Sequence, residues 1–157
     1  MKPNIGITDK QLKGTSAMLT NVLSDEMVLY IKTRKAHWNV TGESFMELHK
    51  LFENQYKQVE LAIDETAERI GKLGSKTIGT MEEFLKSASL KENPEKNYSS
   101  EVVLKELLLD HESVIIQLRK NIQDCDEKEN DAGTADFLTK LIKEHETIAW
   151  VLRRYLN

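Results

Sequence analysis

Apolar residues between Ser44 and about Leu73 recur at intervals of mainly three, four or seven, which is the period of a helix and not of a strand. The chain marks both ends of this segment. Gly42 breaks the preceding segment, Ser44 and Glu47 match the S-x-x-E capping box, and Gly74 fits a C-terminal stop. The pattern therefore predicts one long helix over residues 44 to 73.

The same reasoning predicts four main helices, at about residues 8 to 40, 44 to 73, 100 to 128 and 134 to 155. A tight turn at Gly42 joins the first two, and a short polar link with Thr134 as N-cap joins the last two. The long middle link contains a second capping box, Thr80 with Glu83, which predicts a short extra helix. This connectivity is typical of an all-α four-helix bundle with one long crossover.

Composition agrees with a single helical domain over residues 1–157, with residues 1–14 as a candidate flexible arm. Hydrophobic residues make up 39% and charged residues 31% of the chain, with only seven Gly and two Pro. No apolar run approaches membrane-spanning length and the N-terminus lacks the apolar core of a signal peptide, so we expect a cytoplasmic protein. Cys125 stands alone in a polar stretch and is interpreted as a bystander thiol.

Five side chains of imidazole and carboxylate type are the candidate metal ligands, because these groups bind iron, manganese or zinc. Four of them share one face of the long helix, because about 100° separates successive residues. The axial rise from His49 to Asp64 is about 22 Å, so one chain cannot bring all of them to one ion. The five candidates are His37, His49, Glu53, Asp64 and Glu68.

Two copies of the chain can close such a site if their long helices run antiparallel across a two-fold axis. His49 and Glu53 of one copy then face Asp64 and Glu68 of the other, and His37 folds back as the second imidazole. The alternative interpretation is an ordinary solvated helix face, since polar residues at i,i+4 are common there.

The segment resembles the signature of the Dps family, the mini-ferritins named DNA-binding proteins from starved cells. The pattern is H-W-x-V-x-G-x-x-F-x-x-L-H, then a carboxylate, then D-x-x-A-E-R. The matching residues are His37, Trp38, Val40, Gly42, Phe45, Leu48, His49, Glu53, Asp64, Ala67, Glu68 and Arg69. The resemblance implies a ferritin-like bundle in which His37, His49 and Glu53 bind iron together with Asp64 and Glu68 of the two-fold mate. Glu53 replaces the Asp that many relatives have, which puts the affinity of a second iron position in question.

The resemblance further implies a ferroxidase that oxidises Fe(II) with hydrogen peroxide and stores ferric oxyhydroxide inside a hollow dodecamer, which protects against oxidative stress. It implies a place beside the metal site for Trp38. In such a shell, Glu127, Asp131 and Asp136 would resemble the acids that line three-fold pores, where a carboxylate ring concentrates cations. The default for these three acids is a solvated linker and an ordinary helix start.

An iron site inside the bundle is the weaker alternative, because no histidine here belongs to the Glu-x-x-His motif of such sites. His111 and His145 each lie between two acids in the sequence. We interpret both as surface histidines held by those neighbours. Trp150 is expected to pack in the core.

DNA binding is expected to be weak or absent. The formal charge is −4 per chain, so twelve chains at −4 each carry −48, which repels a polyanion. The candidate basic arm, residues 1–14, offers Lys2, Lys10 and Lys13 but no Arg. The competing hypothesis is a nucleoid-associated DNA-binding protein in which iron oxidation is secondary.

Overall fold

The computed structural model describes residues 3–94 and 97–156, so Lys2 of the predicted arm lies outside the described residues. Five α-helices make up this part of the chain, and the only β-type pairing described in it is one isolated bridge between Thr41 and Ser99. The helices are α1 (Asp9–Asn39), α2 (Phe45–Lys72), α3 (Met81–Ser87), α4 (Ser100–Asp124) and α5 (Ala132–Tyr155). The predicted four-helix bundle, with a short helix in its long crossover, is confirmed.

The core lies between two helix pairs. α1 packs mainly on α2 and α4 packs mainly on α5, while α1 also contacts α3 and α4. Large apolar side chains from all four long helices are fully buried there, among them Leu19, Leu29, Phe52, Leu107, Leu118, Leu138 and Leu152. Residues 9–14 of the predicted arm already belong to α1. In the described part of the chain, no helix is both long and apolar enough to cross a membrane.

The two predicted capping boxes have different outcomes. Thr80 accepts a bond from the backbone of Glu83, and the Glu83 carboxylate accepts one from the backbone of Thr80, so that box is confirmed. The prediction of a capping box at Ser44 is wrong, because the Ser44 side chain makes no capping bond. The carboxylate of Glu47 instead accepts a hydrogen bond of 2.6 Å from the hydroxyl of Tyr155 at the far end of the chain.

The link before α5 also differs from the prediction. α4 is followed by a π-helical turn, Cys125–Glu129, and Asn130 has a left-handed backbone with φ of 50°. The N-cap of α5 is Asp131, and not Thr134 as predicted, because the Asp131 carboxylate accepts the bond from the Thr134 N–H at 2.9 Å.

The crossover is attached to the bundle on both sides of its loop. The buried carboxylate of Asp25 accepts hydrogen bonds from the backbone N–H groups of Ser89 and Leu90, at 2.7 and 2.8 Å. Further along, the N–H of Thr41 donates to the carbonyl of Tyr98 at 3.0 Å. This second attachment joins the start of α4 to the turn between α1 and α2.

Candidate metal centre

The turn between α1 and α2 brings His37 and His49 face to face. Gly42 has φ of +120°, a conformation that side chains with a Cβ rarely adopt, and it lets the chain reverse within a few residues. The two imidazole rings stack with their centroids 3.8 Å apart and their planes inclined by 20°. The pair therefore lies where the last turn of α1 meets the first turns of α2.

Each of the two rings is fixed by the backbone of the other residue. The Nδ1–H of His37 donates to the carbonyl of His49 at 2.7 Å, and the Nδ1–H of His49 donates to the carbonyl of His37 at 2.8 Å. A carbonyl oxygen only accepts, so both Nδ1 atoms carry the proton, and in the neutral rings both Nε2 atoms keep a lone pair. Metal-binding histidines are commonly oriented by such a bond from the other ring nitrogen.

Glu53 lies one helical turn beyond His49 on α2 and supplies a carboxylate on the same side. Its Oε1 is paired with the ammonium of Lys57 at 2.5 Å. The pKa of Glu53 is lowered, first because Lys57 donates this hydrogen bond, then through the charge of Lys57, with smaller contributions from His37 and His49. The carboxylate is therefore ionised near neutral pH, as a metal ligand must be.

Asp64 and Glu68 lie near the other end of α2, and both are exposed. Glu68 is paired with Lys72 at 2.9 Å. The axial rise of about 22 Å between His49 and Asp64 keeps them far from the histidine pair within one chain. In residues 3–94 and 97–156 no group of three or more His, Cys, Asp or Glu side chains is placed to hold a metal ion.

An aromatic group that the sequence reading missed lies beside His37. The ring of Tyr56 meets His37 edge-on at 5.4 Å, and the guanidinium of Arg34 lies 4.6 Å from the centre of the Tyr56 ring. Tyr56 follows His49 by seven residues, so the helical period could have found it. Trp38 is 61% exposed, with the Arg34 guanidinium 5.3 Å from its ring.

The three candidate pore acids have different surroundings. Glu127 is exposed on the π-helical turn and accepts a bond of 2.9 Å from Gln123, and Asp136 is exposed on α5. Asp131 is only 3% exposed, and besides capping α5 it accepts a bond of 2.9 Å from Arg69. Within one chain Asp131 therefore has a stabilising role, while Glu127 and Asp136 remain accessible.

The prediction that His111 and His145 are surface residues is wrong, because they are 0% and 2% exposed. The Nε2 of His145 lies 2.7 Å from the fully buried carboxylate of Glu26, and its Nδ1 lies 2.9 Å from the Nδ1 of His111. The sequence neighbours of these histidines are not their partners. The three side chains form a buried polar chain between α1, α4 and α5.

Burial and charge act differently on the two buried rings. The pKa of His111 falls well below its usual value, mainly because of burial and further because of His145. Burial also acts to lower the pKa of His145, but the charge and hydrogen bond of Glu26, together with Glu144, outweigh it and raise that pKa. Because the carboxylate of Glu26 accepts, the Nε2 of His145 carries a proton, and the Nε2 of His111 has no partner among the described residues.

Cys125 is buried and Trp150 is exposed in the single chain. Cys125 is 0% exposed, and burial, followed by the charges of nearby acids, raises the pKa of its thiol to about 12. Such a thiol stays protonated and unreactive, as a bystander would. Trp150 is 54% exposed, so its predicted place in the core is wrong for the single chain.

Comparison with known proteins places this arrangement in a family. The model of the ferritin-like domain family matches residues 16–157. A DNA protection during starvation protein of Bacillus anthracis is 34% identical over 89% of this chain and 94% of its own length. The chain is a Dps-family mini-ferritin.

Two further matches, one in sequence and one in structure, cover nearly the whole chain. An uncharacterised low temperature-induced protein of Nostoc is 43% identical over 98% of this chain and 86% of its own length. The crystal structure of the Vibrio cholerae Dps protein superposes with a TM-score of 0.93 at 31% identity, covering 99% of this chain and 97% of that one. That Vibrio cholerae protein is described as a member of a broad superfamily of ferritin-like diiron-carboxylate proteins.

Proposed function

We propose that this Dps-family chain is an iron-sequestering ferroxidase whose sites are shared between two subunits. The observation that carries the proposal is the histidine pair, in which His37 and His49 keep both Nε2 atoms available one turn before the carboxylate of Glu53. The diiron-carboxylate description of the Vibrio cholerae relative supports iron as the metal. Iron is here a substrate, bound as Fe(II) and released inward as Fe(III).

An antiparallel second copy of α2 completes the ligand set. If His49 faces Glu68 of the other copy and Glu53 faces Asp64, the two-fold axis passes close to Val59, halfway along the helix. Every such dimer has two identical sites, one on each side of the axis. Each site then holds two imidazoles and three carboxylates, a set that suits Fe(II).

The proposed reaction uses hydrogen peroxide as oxidant. Two Fe(II) ions give up one electron each, and the O–O bond of the peroxide breaks. Both oxygen atoms are thereby reduced to the oxidation state that oxygen has in water. With mineral formation the balance is two Fe(II), one peroxide and two waters giving two FeOOH and four protons. Because two electrons are delivered as a pair, no hydroxyl radical is released.

The protective role follows from storing the product. We propose a hollow dodecamer in which ferric oxyhydroxide collects, with the exposed acids Glu127 and Asp136 as entrance candidates that attract cations. Exposed Trp38, next to His37 in the chain, is a candidate for taking up stray oxidising equivalents.

Direct DNA binding is the second candidate function, favoured by the name of the Bacillus anthracis relative, a DNA protection during starvation protein. The charge of −4 per chain opposes it. Of the candidate basic residues, Lys10 and Lys13 lie in α1. We propose that any DNA retention is weak; a gel-shift titration at rising salt, with a variant trimmed of residues 1–14, measures it.

The decisive experiment loads the purified protein with Fe(II) without oxygen and then adds a pulse of peroxide. Wild type is expected to oxidise about two Fe(II) per peroxide and to give a soluble brown product. The His37→Ala/His49→Ala variant is expected to lose both properties while keeping its helical circular dichroism. Equal behaviour of the two proteins would refute the ferroxidase proposal.

A further inference from the structure

Both glutamates of the proposed iron site have a lysine one helical turn further along α2. Lys57 follows Glu53 by four residues and its ammonium lies 2.5 Å from Oε1, while Lys72 follows Glu68 by four and lies 2.9 Å from Oε2. Each lysine thus occupies an oxygen that an iron ion would need. Asp64 has no such partner, because the residue four positions later is Glu68 itself.

We propose that Lys57 and Lys72 hold these carboxylates before iron binds and compete with Fe(II) for them, so that the two lysines set the iron concentration at which the site fills. The inference rests on the proposed function, since it concerns regulation of the same site. An ammonium group and a metal ion seek the same carboxylate lone pairs. Iron must therefore displace the lysine from the oxygen that it takes.

The lysine side chains are free to move away when iron arrives. In the single chain their side chains are 56% and 62% exposed, and the only contacts described for their ammonium groups are these ion pairs. Displacement therefore requires one side-chain rotation and no unfolding.

The charges of the two lysines favour the iron-free site over the iron-bound site. Two copies of α2 bring three carboxylates to each site, and two lysines offset part of their mutual repulsion before iron binds. Once Fe(II) is present, the same ammonium groups repel it. An exposed i,i+4 pair and the added repulsion together weaken iron binding by about two- to tenfold per lysine.

The test is calorimetric titration of the assembled, metal-free protein with Co(II), a probe that requires no turnover. Lys57→Gln and Lys72→Gln are expected to bind Co(II) about two- to tenfold more tightly than wild type. Lys57→Arg, which keeps a cation at Glu53, is expected to stay near wild type. The matched control is Lys105→Gln, because Lys105 pairs with Glu101 at the same spacing and at 2.5 Å on α4, a helix that supplies no ligand of the proposed site.

Wild-type affinity in both glutamine variants, or equal tightening in the Lys105→Gln control, would overturn the proposal. The His37→Ala/His49→Ala variant separates this failure from a failure of the site. If that variant loses Co(II) binding while the lysine variants match wild type, only the lysine proposal falls. If it binds Co(II) like wild type, the shared site itself is wrong.

Discussion

Two pairs of histidines lie between neighbouring helices of this bundle, and they have opposite chemistry. His37 and His49, between α1 and α2, are each bonded through Nδ1 to a backbone carbonyl. His111 and His145, between α4 and α5, are bonded to each other, and His145 is also bonded to buried Glu26. The first pair leaves both Nε2 atoms for a ligand.

The partner of a histidine therefore decides whether the pair can bind a metal. Backbone carbonyls use one nitrogen of each ring and leave the other at the edge of the protein. Side-chain partners use both nitrogens of His145 and bury the whole group. The same residue type thus leaves ring nitrogens unbonded in one place and builds a stabilising polar chain in the other.

Breaking the buried pair is expected to have the largest effect on stability. His145→Ala leaves the fully buried carboxylate of Glu26 without its partner. We expect a loss of about 3–5 kcal/mol in the free energy of unfolding, because an unpaired buried charge is costly. Urea denaturation followed by circular dichroism, at one fixed protein concentration, measures it.

His49→Ala is the matched control for that measurement. It removes one hydrogen bond to a backbone carbonyl in a partly exposed region, so a loss of about 1 kcal/mol is expected. Equal losses in the two variants would show that burial does not distinguish the pairs.

For metal binding we expect the larger effect from His49→Ala and the smaller one from His145→Ala. His49→Ala should weaken Co(II) binding by about 100-fold or more, since even the outer partners of metal ligands contribute about 10- to 100-fold. Folded His145→Ala protein should bind Co(II) like wild type, because His145 lies outside the proposed site. Titration calorimetry on both variants checks this, and a large loss of affinity in His145→Ala would remove the distinction.

A smaller effect is expected in the pH dependence of stability. The pKa of His111 is lowered on folding, so the unfolded chain binds more protons and stability falls as the pH drops below about 6.5. His111→Gln should reduce this acid loss by up to about 1.4 kcal/mol per pH unit. Urea midpoints measured between pH 5 and pH 7 test it, and unchanged slopes would contradict it.

His145 contributes with the opposite sign. Its pKa is raised on folding, so its contribution is complete below about pH 6.5 and is lost as the pH rises through the folded value. Stability from the buried pair should therefore be greatest near neutral pH.

The helices and the shared face of α2 could be predicted because both follow from local periodicity. His49, Glu53, Asp64 and Glu68 share that face by the fixed rotation per residue. The stacking of His37 on His49 also depends on the turn at Gly42 and on two backbone carbonyls, and spacing alone does not reveal those contacts.

The burial of His111 and His145 was missed because their sequence neighbours are acids. Successive residues on a helix point about 100° apart, so adjacent acids say little about the side that a histidine faces. A signal was present: Leu107, His111, Val114 and Leu118 follow one helical stripe, and all four are buried. Glu26, the partner of His145, lies 119 positions from it, a separation that no local pattern reveals.

The caps show the same limit. Thr80 and Glu83 lie at the start of a short helix, and apart from Thr80 the donor described for the Glu83 carboxylate is the neighbouring N–H of Gly79, so the local rule holds. At Ser44 a distant residue intervenes, because Tyr155 takes the carboxylate of Glu47. Local rules thus succeed where the chain has no long-range competitor.

The two attachments of the crossover have a consequence for engineering. Asp25 fixes Ser89 and Leu90, and Thr41 fixes Tyr98, so the chain between them is held at both ends independently of its own length. Lengthening a loop between fixed ends costs little entropy. A foreign epitope or affinity tag inserted just after Asn93 is therefore expected to leave the histidine pair in register, which makes this segment a site for engineered insertions.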